Sequence, residues 1–127
     1  MPSVGRAVIR VGDLNAAIDF YCRAFGFRVL FDEELLAGFR SVHVGSAGVG
    51  DAGIWLFPAP PKPSAASDGP DLVLFSEDIV GDADRCSRAG AGIVHVLSGA
   101  PGRRSVQMRD PWGTVIVLAE QPAPPQR

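Results

Sequence analysis

The chain has 127 residues, 46% of them hydrophobic and 20% charged, with a formal net charge of -2. That length and balance suit a single globular domain able to bury a core of its own. They speak against the basic face of a nucleic-acid binder, and no stretch is apolar enough to span a bilayer as a helix.

The N-terminus lacks a signal pattern, and Cys22 and Cys86 lie far apart without metal spacing, so a cytoplasmic protein with free thiols is expected.

The first predicted element is a strand, RAVIRV, in which Ala7, Ile9 and Val11 alternate with Arg6, Val8 and Arg10. Asp13 then caps a helix whose apolar positions Leu14, Ala17, Ile18, Tyr21, Cys22 and Phe25 recur at helical spacing until Gly26 ends it. Three strand-like runs follow: FRVLFDE, FRSVHVG and AGIWLFPA. Residues 59–70 are rich in proline and lack periodicity, which predicts a connector. The order then starts again. DLVLFSEDI is a strand leading to a second cap, Asp78, and IVGDADRCSRAG is a helix closed by Gly90. GIVHVL, RSVQMRD and GTVIVLAE complete the second set, and the tail QPAPPQR is expected to be loose.

Superposing Asp13 on Asp78 aligns Leu14 with Ile79, Arg23 with Arg88 and Ala24 with Ala89, with few other identities. The repeated order of elements is the stronger signal, since each unit is an amphipathic layer that must bury its sheet against its helix. The fold class is therefore α+β: tandem βαβββ units, about 4–58 and 71–120, in one domain spanning 1–127. The units are expected to form a curved mixed sheet around a cleft, with the helices on its outer face. On this reading Ala7, Ile9 and Val11 face the helix, and Arg6, Val8 and Arg10 face the cleft.

VIRVGDLNAAIDFYCRAFGF and RDPWGTVIVLAEQ carry a resemblance to the vicinal oxygen chelate superfamily, which includes glyoxalase I, bleomycin-resistance proteins and extradiol dioxygenases. The resemblance covers nearly the whole chain outside the connector and tail. It implies the fold but no single activity, because the family hosts lyases, isomerases, oxygenases and plain binders. Its metal-dependent members hold a divalent ion with side chains from the first and last strand of each unit. Equal counts back from Asp13 and Asp78 place the first-strand positions at Arg6 and Asp71, and the last-strand positions fall on Trp55 and Val117. Arginine, tryptophan and valine cannot ligate, so the resemblance implies a member without a metal or other cofactor. A pair between Arg6 and Asp71 is expected to take over the ion's role of joining the halves.

The remaining candidates carry a plain structural reading beside a functional one. Arg6 and Arg10 are either solvated or cleft-lining. Trp55, Phe57 and Phe75 are either core filler or one wall for a planar aromatic ligand. His43 shares a strand face with Ser41, Gln107 offers a polar contact, and Trp112 either caps the cleft mouth or shields the Asp110–Gly113 turn. The face of His95 is open, and both thiols are expected to be buried and inert.

These features favour a metal-independent binder that sequesters an antibiotic or aromatic metabolite, with Arg6, Val8, Arg10, His43, Trp55, Phe57, Asp71, Phe75, Gln107, Trp112 and Val117 contacting the ligand. The alternative is a metal-free isomerase, cyclase or lyase using Asp71, His43 or Glu77. A metal-dependent lyase or dioxygenase comes third. The resemblance also implies a homodimer.

Overall fold

The computed structural model describes residues 1–60 and 69–122. Most of the expected connector 59–70 and the end of the tail therefore lie outside the described residues.

Unit one runs β1 (Arg6–Val11), α1 (Leu14–Phe25), β2 (Arg28–Leu36), β3 (Phe39–Gly45) and β4 (Gly53–Pro58). Unit two runs β5 (Leu72–Ser76), α2 (Ile79–Ala89), β6 (Gly92–Ser98), β7 (Ser105–Arg109) and β8 (Val115–Glu120). The repeat read in the sequence is thus the repeat of the fold. Both caps form as their residue types require. Asp13 accepts a hydrogen bond from Ala16 N at 3.0 Å, and Asp78 accepts one from Gly81 N at 3.2 Å. Gly26 stops α1 at φ 68° and Gly90 stops α2 at φ 113°, backbone angles that a side chain would strain.

The strands form two mixed four-stranded sheets, ordered β1-β4-β3-β2 and β5-β8-β7-β6. In each, the first strand pairs parallel with the last, and the other pairs are antiparallel. Ile9, Val11, Val42, Val44, Ile54 and Leu56 are buried from sheet one, and Val106, Met108, Ile116 and Leu118 from sheet two. Each sheet therefore turns one aliphatic face to its helix.

The structure adds two details to the expected architecture. The eight strands are hydrogen-bonded as two four-stranded sheets, with β1 and β5 each at an edge. The two helices pack on each other, and the buried Cys86 thiol donates to Ala24 O at 3.4 Å. The physical reason is the width of the apolar surface of α1. It buries Ala17, Phe20, Tyr21 and Ala24 and packs Leu14, Ile18 and Phe25 beside them, and the small side chains Ala24 and Cys86 let the helices approach closely. One hydrophobic cluster accordingly includes residues of both units.

Candidate functional site

The face of sheet one turned away from α1 carries the densest group of sequence-predicted residues. Strand register places them in rows. Val8 of β1 stands beside Trp55 of β4, Trp55 beside His43 of β3, and His43 beside Phe31 of β2. Arg10 stands beside Phe57. The parity read from the sequence holds, with Ile54 and Leu56 buried towards the helix and Trp55 and Phe57 half-buried on the other face.

The rings form a continuous row. Centroids lie 5.1 Å apart for Phe31 and His43, 5.8 Å for His43 and Trp55, 5.3 Å for Trp55 and Phe57, and 5.8 Å for Phe57 and Phe39. Phe31 and Phe39 escaped the sequence reading. Register shifts in β2 between Val29 and Phe31 and between Glu34 and Leu36 interrupt the simple alternation that would have assigned the face of Phe31, whereas Phe39 shares the β3 parity of Ser41 and His43 and could have been read from it.

Arg6 also lies here, but its role differs from the one expected. Its guanidinium donates to Gly5 O at 2.8 Å, Asp51 O at 2.7 Å and Val49 O at 2.7 Å, and its Nε donates to His43 Nδ1 at 3.0 Å. It ties β1 to the β3–β4 loop and to His43. Asp71 instead accepts from Val115 N at 2.9 Å, and no hydrogen bond or ion pair joins it to Arg6. The expected Arg6–Asp71 pair is therefore corrected: nearby carbonyls satisfy the guanidinium within unit one. Arg10 is exposed and makes no hydrogen bond to another described residue, which leaves its charge free at the Phe57 end of the row.

His43 Nε2 lies 3.2 Å from Ser41 Oγ, and Ser41 is 1% exposed. Burial first, and then the Arg6 charge, hold the His43 pKa below its ordinary value, so the neutral ring is favoured. Trp55 Nε1 is buried and has no hydrogen-bond partner among the described residues. Such a donor carries an uncompensated desolvation cost of roughly 1–3 kcal/mol.

The matching face of sheet two repeats the pattern with different chemistry. Val73 stands beside Val117, Val117 beside Gln107, and Gln107 beside His95, which assigns the face of His95. Val73 and Phe75 on the edge strand β5 are 51% and 61% exposed, as is Val8 on the other edge strand at 54%. Phe75 makes no ring contact with Trp55 or Phe57, so the three do not form one wall within a chain. A separate cavity of about 520 Å³ opens between the units, lined by Phe25, Phe27, Ile54, Leu72, Leu74 and Phe75 among others. It lies largely on helix-facing side chains, away from the aromatic row.

Trp112 leaves the site altogether. Its ring lies against Gly12 and edge-on to Phe20, where it shields the turn after β7. That turn is built on Asp110, which accepts from Trp112 N at 2.9 Å, Thr114 N at 2.8 Å and the Tyr21 hydroxyl at 2.6 Å. Tyr21 and Asp110 are buried and belong to different units, so this hydrogen bond pins unit one to unit two. Burial raises the Asp110 pKa, and Tyr21 with the two backbone N–H groups opposes that rise. Helical periodicity predicted that Tyr21 is buried but offered no sign of its partner.

The positions that hold a metal in metal-dependent members of the resembled family do not suit one here. Arg6, Trp55 and Val117 offer no ligating lone pair, and one oxygen of Asp71 already accepts a backbone N–H. Among the described residues, no three His, Cys, Asp or Glu side chains lie close enough to share an ion.

The model of the Glyoxalase/Bleomycin resistance protein/Dioxygenase superfamily matches residues 3–118. Solved structures share the fold. A member of that superfamily from Sphaerobacter thermophilus DSM 20745 is 25% identical with a TM-score of 0.76, over 95% of this chain and 98% of the other. TnmS3, an antibiotic binding protein from Streptomyces sp. CB03234, is 27% identical with a TM-score of 0.74, over 97% and 98%. A glyoxalase/bleomycin resistance protein from the same Streptomyces is 28% identical with a TM-score of 0.70, over 93% and 100%. No curated protein matches the chain.

Proposed function

The chain belongs to the glyoxalase/bleomycin resistance protein/dioxygenase superfamily, and from that premise we propose that it is a metal-independent binding protein that sequesters a small aromatic molecule. The observation that carries this reading is the ring row Phe31–His43–Trp55–Phe57–Phe39 on a sheet face not covered by its helix. An apolar aromatic wall with a few placed polar groups is what a small-molecule cleft requires. The free Arg10 favours an anionic or phenolic ligand. The similarity to an antibiotic binding protein supports an antibiotic or a related metabolite as that ligand, and hence a role in resistance.

The ligand positions are Arg10, His43, Trp55 and Phe57 from sheet one, with Val73, Phe75, Gln107 and Val117 from sheet two. Val8, Val73 and Phe75 are large apolar groups exposed on edge strands that are paired on one side only. That exposure supports a homodimer, in which sheet one of one copy meets sheet two of the other to close the cleft. A metal-free enzyme needs a free base, and His43 already accepts from Arg6 through one ring nitrogen.

Calorimetric titration with a panel of planar aromatic antibiotics tests the proposal. At least one compound binds, Trp55→Ala weakens it by about tenfold or more through lost burial and stacking, and Trp112→Phe leaves it unchanged. If no compound binds, or if Trp55→Ala has no effect on one that does, the proposal fails.

A further inference from the structure

We propose that the cavity of about 520 Å³ between the units is a second small-molecule site, which takes an uncharged apolar ligand and is separate from the aromatic face of sheet one. The proposal does not rest on that face, because the cavity is walled largely by helix-facing side chains of both units.

Unit one supplies Ile54 together with Phe25 and Phe27, whose rings lie 5.4 Å apart. Unit two supplies Leu72, Leu74 and Leu118. The repeat explains the space between them. Superposing Asp13 on Asp78 sets Ala7 against Leu72, each on the helix side of its edge strand. Where β5 carries an isobutyl group, β1 carries only a methyl, and the cavity opens there. Protein interiors are close-packed, with few voids larger than a water molecule, so a gap of this volume is not a packing fault. It falls in the range of about 300–1,000 Å³ that small-molecule sites occupy.

The chemistry of the wall sets the class of ligand. Asp82 is its only ionisable side chain among the described residues. One carboxylate oxygen accepts from Ser76 Oγ at 2.5 Å, and the other lies 3.2 Å from Arg85 Nη1. The protein itself therefore occupies both oxygens. An anion entering the cavity loses its hydration and meets a carboxylate, and burying a charge without a partner is costly. A cation finds the carboxylate already paired. An apolar molecule instead gains contact with aliphatic and aromatic groups from both units. Val73 and Phe75, 51% and 61% exposed, mark the mouth through which it enters. The occupant touches both units, so it stabilises their packing.

N-Phenyl-1-naphthylamine, an uncharged probe that fluoresces in apolar surroundings, tests the proposal on the full chain. The wild type binds the probe and melts at a higher temperature in its presence. Intermolecular proton contacts in NMR spectra reach the methyl groups of Leu72, Leu74 and Leu118. Ala7→Leu gives unit one the side chain that unit two carries at the matching position, fills the gap and weakens the probe by about tenfold or more. 8-Anilino-1-naphthalenesulfonate, the same ring skeleton with an anionic group, shows no binding that Ala7→Leu removes. The contact map on the wild type decides the site even where the variant does not fold. Contacts confined to Trp55, Phe57 and His43 overturn the second site and leave the aromatic-face proposal standing. No binding up to the solubility limit of the probe overturns it too, as does an anion held in the cavity as tightly as the neutral probe. If the wild type takes up no probe and Ala7→Leu changes the oligomeric state, a second copy covers the cavity and the proposal is likewise overturned.

Discussion

Tyr21→Phe isolates the contact that pins the two units together. The substitution removes one oxygen and leaves the ring in place, so it opens almost no cavity. What is lost is the 2.6 Å hydrogen bond to Asp110, both partners being buried. A hydrogen bond to a charged acceptor contributes roughly 1.5–3 kcal/mol net. Asp110 keeps its bonds from Trp112 N and Thr114 N, so the carboxylate is weakened in its support but not stranded. The expected loss is therefore about 2 kcal/mol, which lowers the melting temperature of a chain this size by roughly 5–10 °C.

Asp110→Ala removes all three hydrogen bonds and costs more. A double-mutant cycle of Tyr21→Phe with Asp110→Asn gives a coupling of about 1–2 kcal/mol, because the residues are in direct contact. Urea unfolding curves with unchanged slopes supply these values. A loss below about 0.5 kcal/mol, the level of an ordinary surface change, refutes the reasoning. So does an Asp110→Ala variant no less stable than Tyr21→Phe.

Elemental analysis of protein purified without chelator finds no stoichiometric divalent metal; one ion per chain, lost on changing Asp71, contradicts the ligand assignment. Glu120 accepts from Arg104 and from the Gly102 and Arg104 N–H groups, which lowers its pKa from 4.5 to about 2. Its contribution to stability is therefore intact above pH 4.5 and is lost as pH falls from 4.5 through about 2, and Glu120→Gln flattens that limb of the urea midpoint against pH. His43 is depressed below 6.5, first by burial and then by Arg6, so the native state favours the neutral ring and stability falls as pH drops below 6.5. His43→Gln removes that slope, and an unchanged profile refutes the depressed pKa of His43. Burial pushes the Cys86 thiol up to about 12, so a thiol reagent at pH 8 leaves Cys86 unmodified in the native protein and labels it only on unfolding.

The sequence by itself determined the local elements and the side chains each turns to its helix. Asp13 and Asp78 marked the helix starts, Gly26 and Gly90 the stops, and strict alternation in β4 put Trp55 and Phe57 opposite Ile54 and Leu56. These features are set by neighbours a few residues away, through capping and strand pleat, and a single chain displays them directly. The repeat itself was legible because both units need the same order of elements to bury one sheet face. What only the tertiary structure decided were the encounters between distant residues. Arg6 met His43 and the β3–β4 loop rather than Asp71, Tyr21 met Asp110 across the units, and the helices met each other. No periodicity encodes such pairings, because they depend on how whole layers are oriented. A guanidinium with four donors engaged nearby has little reason to cross to the other unit. The broad apolar surface of α1 packed against α2 as well as against its own sheet, and the aromatic face of sheet one stayed open.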